Sequence, residues 1–465
     1  MNTRSLWLDA LAAAPAARYA LAIPADARRA LAIGWLWLAL ASLVGSGAFA
    51  FLLVLARAPV LKELLPVADF FRVALVVHVD LSVLVWFASF GGLLWSLNST
   101  GRSLGLGWAG LGVAGAGLLG LCAAPFLQHG AVVMSNYVPV LDSVYFLGGL
   151  VVFAIGCALL IARSMAAVPR VGARPDGAGA LRFGLNSALV SAAVALIAFA
   201  WSWARIPASL EGKAYYEVLF WGGGHVLQFT WTLLMFVAWL WLADASGART
   251  PLSPRIAILL FAIGLVSVFA TPVLYLMYDV VSVEHYRLQT WLMRIGGGLA
   301  IVPFSIAMVQ ALLTAPPATA QARPLRAALG WSVVLFGAGG LIGVAIQGSN
   351  VRIPAHYHGA IVGVTLAFMG LAYHLLPRLG FAAVAPRAAA RQVWLYACGQ
   401  LIHITGLAWS GGYGVQRKVA GADQVLRGAE QTLAMGMMGL GGLAAVAGGV
   451  MFLVLVLRAM LPARK

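Results

Sequence analysis

The sequence predicts an all-α, polytopic membrane protein with twelve transmembrane helices. Of its 465 residues, 62% are hydrophobic and only 9% are charged, and the mean hydropathy is +0.94. Apolar stretches of about 20 residues, the helical length that crosses about 30 Å of hydrocarbon, recur along the whole chain. A soluble domain is excluded, because such a composition leaves too few polar residues to cover its surface.

The apolar stretches follow one another with short connections, so we predict one twelve-helix domain over residues 31–458. An N-terminal segment, 1–30, precedes it, and a short tail, 459–465, follows it. The predicted spans are 31–56, 74–97, 105–126, 142–162, 183–203, 217–243, 256–280, 293–314, 327–347, 355–377, 392–410 and 430–457.

Arginine and lysine predict the orientation, because the short cytoplasmic loops of membrane proteins carry an excess of both. Here they collect in one alternate set of loops and in the terminal segments, so we expect both termini to be cytoplasmic in a bacterial-type inner membrane. The net charge of +16 then reflects these loops and not a nucleic-acid partner. The residues are Arg18, Arg28, Arg29, Arg102, Arg163, Arg170, Arg174, Arg182, Arg249, Arg255, Arg323, Arg326, Arg378, Arg387, Arg391, Arg458, Arg464 and Lys465.

The N-terminal segment and the cysteines point to no separate module. Residues 1–30 place arginines around short apolar pieces, without a signal-peptide core and cleavage site, and we interpret them as a cytoplasmic amphipathic segment. Cys122, Cys157 and Cys398 have no CxxC spacing and fall within predicted spans. We expect them to be packing residues, not a disulfide framework or a thiolate metal site.

Two histidines open the tenth predicted span, in the segment Arg352-Ile-Pro-Ala-His356-Tyr-His358-Gly359. Histidine is costly in a bilayer, and its usual partner at that depth is a metal, so the segment indicates a haem site. On a helix the two side chains point roughly 200° apart, which suits two metal centres on opposite sides. The alternative is a pair of polar residues hydrogen-bonded to carbonyls or lipid headgroups.

Five histidines share one depth in the predicted topology. With the N terminus inside, even spans begin and odd spans end at the outer face, so these five lie in the outer half of the membrane. Their convergence at one depth indicates a cluster of metal ligands. They are His78, His225, His285, His356 and His358, whereas we interpret His129 and His374 as ordinary polar positions and His403 as a packing residue that could touch a haem edge.

At this point the residues resemble the catalytic subunit, subunit I, of the haem-copper oxidase superfamily, which includes respiratory oxygen reductases and nitric oxide reductases. The likeness extends from about the second span to the twelfth. It implies that His78, at the end of Phe71-Arg-Val-Ala-Leu-Val-Val-His78, and His358 ligate a low-spin haem from opposite faces. It implies that His356 holds a high-spin haem, and we expect both haems to be of the b type.

The resemblance also implies a non-haem metal, iron or copper, beside the high-spin haem. Trp221-Gly-Gly-Gly-His225-Val-Leu-Gln228 matches the family's sixth-span ligand, and Glu284-His285-Tyr286 stands where the family has a His-His pair. The expected metal ligands are therefore His225, His285 and Glu284. Gln228, three residues after His225, lies near it on the same face of a helix.

A basic loop follows the eleventh span. Gly411-Gly-Tyr-Gly-Val-Gln-Arg417-Lys418 resembles the family's paired basic residues, which hold the haem propionates through charge-assisted hydrogen bonds. The alternative is a solvated outer loop, which would run against the positive-inside trend. We expect Arg417 and Lys418 to bind propionates.

A carboxylate and a tyrosine decide whether the resemblance points to oxygen or to nitric oxide as the substrate. Phe229 stands four residues after His225, where one large oxidase branch has its cross-linked tyrosine. Tyr278 stands six residues before Glu284, where another branch has it, so oxygen chemistry stays open. A carboxylate beside the metal instead resembles the nitric oxide reductases, because hard oxygen ligands suit iron better than copper(I).

Nitric oxide reduction is accordingly the predicted activity, with Glu284 as a metal ligand or a proton carrier. It consumes two electrons and two protons per two NO and needs no tyrosine donor. The reductases that carry a carboxylate place glutamate four residues after the sixth-span histidine, a pattern that this chain lacks. The alternatives are a terminal oxygen reductase that uses Tyr278, and a non-catalytic haem-binding paralogue or a transporter.

Electrons and protons must both reach this centre. No CxxCH haem attachment and no Cys-rich copper or iron–sulfur motif occurs, so we expect a separate donor subunit, a cytochrome c or copper protein, or quinol. The inner halves of the spans contain almost no ionisable residues, which predicts proton uptake from the outer side. The acidic residues on that side are Asp80, Glu211, Glu217, Asp279 and Glu284.

Overall fold

Helices make up nearly all of the structure, a computed structural model that describes residues 18–57, 68–128, 130–172, 176–417 and 425–461. In lipid a backbone must satisfy its own hydrogen bonds, which a helix does within one segment. Eleven of the described helical segments are long and apolar enough to cross a membrane. The predicted all-α polytopic fold is confirmed.

The elements follow the predicted spans in order. Two spans are single long helices interrupted by a π-helical turn, at Asp80–Val85 and at Met293–Gly297. The helices are α1 (Ala27–Arg57), α2 (Ala68–Val79), α3 (Trp86–Leu97), α4 (Leu104–Leu127), α5 (Val144–Ala166), α6 (Gly177–Arg205), α7 (Gly212–Ala245), α8 (Pro254–Val268), α9 (Ala270–Met277), α10 (Val283–Leu292), α11 (Gly298–Leu313), α12 (Ala322–Val344), α13 (Arg352–Leu375), α14 (Pro386–Gly412) and α15 (Ala429–Met460), with a short 3-10 turn at Pro377–Leu379.

The eleventh predicted span is not among these eleven long apolar segments. It corresponds to α14, a helix of 27 residues that packs against α12, α13 and α15. Charged and polar residues such as Arg387, Arg391 and Gln392 lower its hydropathy, but its length and packing match those of its neighbours. Together with α14, the described helices give the twelve predicted spans.

Two helices occupy the centre of the bundle. Within their most apolar windows, 89% of α7 and 83% of α13 is buried, against half or less for most of the others. Small residues let the neighbouring helices approach closely. Gly359 of α13 abuts the backbone of Gly339 on α12, for example, so a Cβ at Gly359 would lie 2.6 Å from the Gly339 Cα. The central helices are also those that carry His225, His356 and His358.

The two ends of the bundle differ in composition. At one end, arginines are bound by backbone and hydroxyl groups: Arg163 donates to Ser99 Oγ at 2.9 Å, and Arg326 donates to the Ser246 carbonyl at 2.7 Å. At the other end, strands β1 (Ala131–Val133) and β2 (Val140–Asp142) form an antiparallel hairpin between α4 and α5 that packs on α2 and α7. The histidine sites lie near the hairpin end.

Candidate functional site

His78 is oriented by the first helix. Its Nδ1 lies 3.0 Å from the backbone oxygen of Ser46 and 2.9 Å from the Ser46 Oγ. An Nδ1–H that donates to a carbonyl fixes the tautomer and leaves Nε2 as a lone-pair donor, as in most metal-ligating histidines. The π-helical turn that begins at Asp80 follows directly, and such turns are frequent at functional sites.

His356 is positioned in the same way by glycines of α12. Its Nδ1 donates to the Gly339 carbonyl at 2.7 Å, which again leaves Nε2 as the lone-pair atom. One turn further along α12, Gly343 provides the space for the ring, because a Cβ there would lie 2.5 Å from Nδ1. The sequence alone predicted the histidine but not the role of these two glycines.

His358 faces the opposite neighbour. Its ring centroid lies 5.0 Å from that of His403 on α14, with the planes inclined at 66°. The Nδ1 of His403 is 2.8 Å from the Met438 carbonyl on α15. His356 therefore contacts α12 and His358 contacts α14, the divergence expected from their spacing.

His225, on α7, has protein partners at both ring nitrogens. Its Nδ1 lies 2.7 Å from the Trp221 carbonyl, and its Nε2 lies 2.9 Å from the phenol oxygen of Tyr137. Burial, with the nearby Tyr286 and Glu217, raises the pKa of the Tyr137 phenol well above its usual value. Because Nδ1 faces a carbonyl and carries the ring hydrogen, Nε2 accepts the hydrogen of the phenol.

The glycine run before His225 makes room for three aromatic rings. A Cβ at Gly222 would lie 2.9 Å from the Tyr275 Cζ, and one at Gly223 would lie 2.7 Å from the Phe199 Cγ. At Gly224 a Cβ would lie 2.6 Å from the Cβ of Tyr137. The run Gly-Gly-Gly before a histidine was the sequence feature that could have indicated such close ring packing, although it does not identify the rings.

His285 lies on α10 and is only 2% exposed. Its Nδ1 has no hydrogen-bond partner among the described residues, and its ring centroid is 4.6 Å from that of Tyr275. Tyr275 also occupies the space beside Gly222 on α7, three residues before His225. Trp221 stacks on Tyr286 at 3.6 Å and donates its indole N–H to the Tyr286 carbonyl at 3.1 Å, which joins α7 to α10.

The other three residues expected near the metal differ in exposure. Glu284 begins α10 on its exposed side, whereas Gln228 and Tyr278 are half-buried. Within the described ranges, no three side chains of His, Cys, Asp and Glu form a group that could hold a metal ion. His225 and His285 thus lie on two helices joined by the Trp221–Tyr286 contact, and Glu284 does not complete a triad with them.

The acidic residues expected on the outer side do not form one continuous surface. Asp80 is 1% exposed, and neither of its carboxylate oxygens has a hydrogen-bond partner in the part of the chain that the structure describes. Glu217 is half-buried and accepts from Asn136 at 2.9 Å, whereas Glu211, Asp279 and Glu284 are exposed. The acidic surface thus lies around the start of α7 and α10, and Asp80 is apart from it.

The basic loop reaches this surface. Arg417 donates to the Asn136 Oδ1 at 3.2 Å, so the loop after α14, the hairpin and Glu217 form one hydrogen-bonded chain. Lys418 lies outside the described residues, as does His129. A further cation, Arg352, begins α13 one turn before His356, and its guanidinium donates to the carbonyls of Ala345 and Ala408 at 3.4 and 3.5 Å.

The donor atoms fit the groups that the resemblance implies. His78 and His356 each have Nδ1 on a backbone carbonyl and Nε2 left for a haem iron. The Nδ1 of His285, which is buried and has no hydrogen-bond partner in the described part of the chain, and the Nε2 of His225, which faces the Tyr137 phenol, are suitable donors to a second metal. Arg417 and Arg352 supply positive charge at the same end of the bundle.

Comparison with known proteins identifies the family. A family model described as cytochrome c and quinol oxidase polypeptide I matches residues 30–450. A protein of Rickettsia prowazekii (strain Madrid E), described as uncharacterized protein RP382, is 27% identical over 491 residues, covering 91% of this chain and 94% of that one. An uncharacterized protein of Aquifex aeolicus (strain VF5) is 28% identical, covering 75% and 85%.

A solved structure shares the fold. It is a cryo-EM structure of a heme-copper terminal oxidase dimer, which superposes with a TM-score of 0.72 over 95% of this chain and 85% of that chain. The sequence identity is 16%, so this likeness concerns the fold alone.

Proposed function

Because the chain belongs to the cytochrome c and quinol oxidase polypeptide I family, we propose that it reduces nitric oxide to nitrous oxide at a haem and a non-haem metal. The balanced reaction is 2 NO + 2 e⁻ + 2 H⁺ → N2O + H2O. When bound, the haems would relay electrons and the paired metals would bind the gas. The observation that supports NO is an oxygen-bearing residue in place of an imidazole: Glu284 stands where the family has a histidine, and the Tyr137 phenol is 2.9 Å from the Nε2 of His225.

The haems would be held by the central helices. We propose His78 and His358 as the low-spin ligands and His356 as the high-spin ligand. The carbonyls of Ser46 and Gly339 fix the His78 and His356 rings before any haem binds, which lowers the cost of ordering the site. Arg417, with Lys418, would pair with propionates at the outer end.

The second metal would lie between α7 and α10. His225 and His285 are its proposed imidazole ligands, and the Trp221–Tyr286 stack fixes the spacing of the two helices. Oxygen donors favour iron over copper(I) at such a site. Phe229, one turn after His225, is packed in an apolar cluster with Val226 and Val268, so this position offers no phenol.

Protons would arrive from the outer side. Glu284 is exposed beside the buried His285, a position that suits a proton carrier better than a metal ligand. Glu217 and Asn136 continue the polar surface towards Tyr137 and His225. Gln228, half-buried one turn beyond His225, would hold water or the gas near the metal.

A terminal oxygen reductase is the second candidate, and a tyrosine supports it. This reaction, O2 + 4 e⁻ + 4 H⁺ → 2 H2O, benefits from a phenol that gives an extra electron and proton near the metal. Tyr275 lies against His285, with ring centroids 4.6 Å apart, and its phenol is 2.7 Å from the Ser202 Oγ. Tyr278, three residues further along the chain and half-buried, stays the proposed alternative donor.

The electron donor would be a partner molecule. The chain has no CxxCH motif and no cysteine cluster, so we propose a cytochrome or copper-protein subunit, or quinol, that docks at the outer face. The protein would lie in a bacterial-type cytoplasmic membrane with both termini inside, because the arginine-rich connections lie at the end opposite the histidines.

The test is gas consumption by one purified preparation. With an artificial electron donor, we expect rapid anaerobic NO loss, N2O formation and little O2 uptake. His225→Ala should abolish NO loss, whereas His374→Ala, at the opposite end of the bundle beside Arg378, should leave it intact. Rapid O2 uptake with little NO loss would instead establish the oxygen reductase.

A further inference from the structure

A tyrosine from outside the helical bundle contacts the candidate metal ligand. Tyr137 lies in the turn between β1 and β2, and its phenol oxygen is 2.9 Å from the Nε2 of His225. Neither the tenth-span histidines nor the glutamate beside His285 predicts this contact. The residue is therefore a candidate for a role that the sequence motifs do not assign.

The tyrosine is held in place from several directions. The missing side chain of Gly224 admits its ring, and Trp221 packs against it edge-on with centroids 5.5 Å apart. The neighbouring Asn136 is bonded to Glu217 on α7 and to Arg417. A side chain fixed this way is preorganised, so it would lose little conformational entropy on binding a ligand.

The separation of the two atoms matches that of two ligands on one metal. Donor atoms bound at about 2.0 to 2.1 Å with tetrahedral or right-angle geometry lie roughly 2.8 to 3.4 Å apart. The 2.9 Å between Tyr137 Oη and His225 Nε2 falls within this range. The Nδ1 of His225 is already bound to the Trp221 carbonyl, so Nε2 is the nitrogen that would take the metal.

The site also lacks a third ligand of the usual kinds. Among the described His, Cys, Asp and Glu side chains, no group of three could hold a metal, and Glu284 is exposed. Within the described ranges, the buried Nδ1 of His285 has no hydrogen-bond partner. The phenol oxygen beside His225, with the imidazoles of His225 and His285, would give the three ligands of one site.

We propose that the Tyr137 phenol oxygen is the third protein ligand of the non-haem metal, together with His225 and His285. The inference rests on the proposed function, which supplies the metal. Binding breaks the phenol O–H bond and forms an oxygen–metal bond, and the proton is released to solvent. Tyrosine oxygen is a known iron ligand in proteins, so the occupant would be iron.

The first experiment uses the wild-type holoprotein. Oxidised, it should show a phenolate-to-metal charge-transfer absorption, and resonance Raman excitation in that band should enhance ring vibrations that shift when the protein contains ring-deuterated tyrosine. Absence of the tyrosine vibrations in protein that holds its full complement of non-haem metal would overturn the proposal.

The second experiment removes the oxygen. Tyr137→Phe should lose the charge-transfer band and bind the non-haem metal about 10- to 100-fold more weakly, while both haem spectra persist. Tyr216→Phe is the matched control, because the Tyr216 phenol joins α7 to the same hairpin through Asp142, at 3.0 Å, away from His225. Unchanged metal affinity in Tyr137→Phe would refute the ligand role.

The two proposals fail in different ways. A tyrosine-dependent band in a protein that consumes no NO would refute NO reduction but support Tyr137 as a metal ligand. NO turnover without that band would refute the ligand role of Tyr137 but support NO reduction. If Tyr137→Phe does not fold, the spectrum of the wild-type protein still decides.

Discussion

The histidines on the two sides of the bundle centre are prepared differently. His78 and His356 each place Nδ1 on a backbone carbonyl and leave Nε2 available. His225 also places Nδ1 on a helix carbonyl, that of Trp221, but its Nε2 is occupied by Tyr137 from the hairpin, while His285 leaves its Nδ1 unpartnered among the described residues. A helix carbonyl thus orients the rings of His78, His356 and His225 alike, and the proposed metal side differs in having a side chain from the hairpin at the second ring nitrogen.

Removing a haem-side ring should have the largest effect. His356→Ala should eliminate the high-spin haem signal and keep the low-spin signal, and His358→Ala should do the reverse, because the two rings face different helices. Absorption spectra of the reduced and oxidised proteins measure both. Two variants with wild-type spectra would show that the ligand assignment is wrong.

Filling the glycine space beside His356 should have a smaller effect. In Gly343→Ala the new methyl group would lie 2.5 Å from the His356 Nδ1, so the ring or α12 must shift at a cost of about 1–3 kcal/mol. We expect partial loss of high-spin haem. Gly340→Ala is the control, since a Cβ there meets nothing within 4 Å; equal haem loss in both would point to general destabilisation.

Changing the exposed carboxylate should affect turnover without affecting assembly. Glu284→Gln should slow NO turnover by about tenfold, because water can partly replace an exposed proton carrier. Loss of a fixed general acid or base would slow the reaction more, by ~10²- to 10⁴-fold. Haem and metal content should stay at wild-type levels. Full activity would show that Glu284 takes no part in turnover. Loss of the non-haem metal would instead support Glu284 as a metal ligand.

Loosening the hairpin should have the smallest effect. Asn136→Ala removes the hydrogen bonds to Glu217 and Arg417, each worth about 0.5–1.5 kcal/mol. Amide hydrogen exchange should become several-fold faster in residues 131–142 and remain unchanged in α13. Unchanged exchange in the hairpin would mean that Gly224 and Trp221 hold Tyr137 without this tether.

Much of the fold could be predicted because length and apolarity alone determine a membrane helix. Eleven spans have both properties, whereas α14 has the length with a lower hydropathy. The His-x-His spacing predicted that His356 and His358 face different neighbours. Tyr137 could not be predicted, since its contact joins residues 88 positions apart through a short hairpin that no periodicity marks. The exposure of Glu284 depends on where α10 begins, which Ser282 fixes by capping the His285 amide.

The most direct test of the account is to count cofactors in the purified protein. Haem extraction with metal analysis should give two non-covalently bound b-type haems and one non-haem iron per chain, because in the proposed arrangement three histidines hold haem and two hold the second metal. A single haem per chain, or two haems with no second metal, would contradict the division between the two sets of histidines.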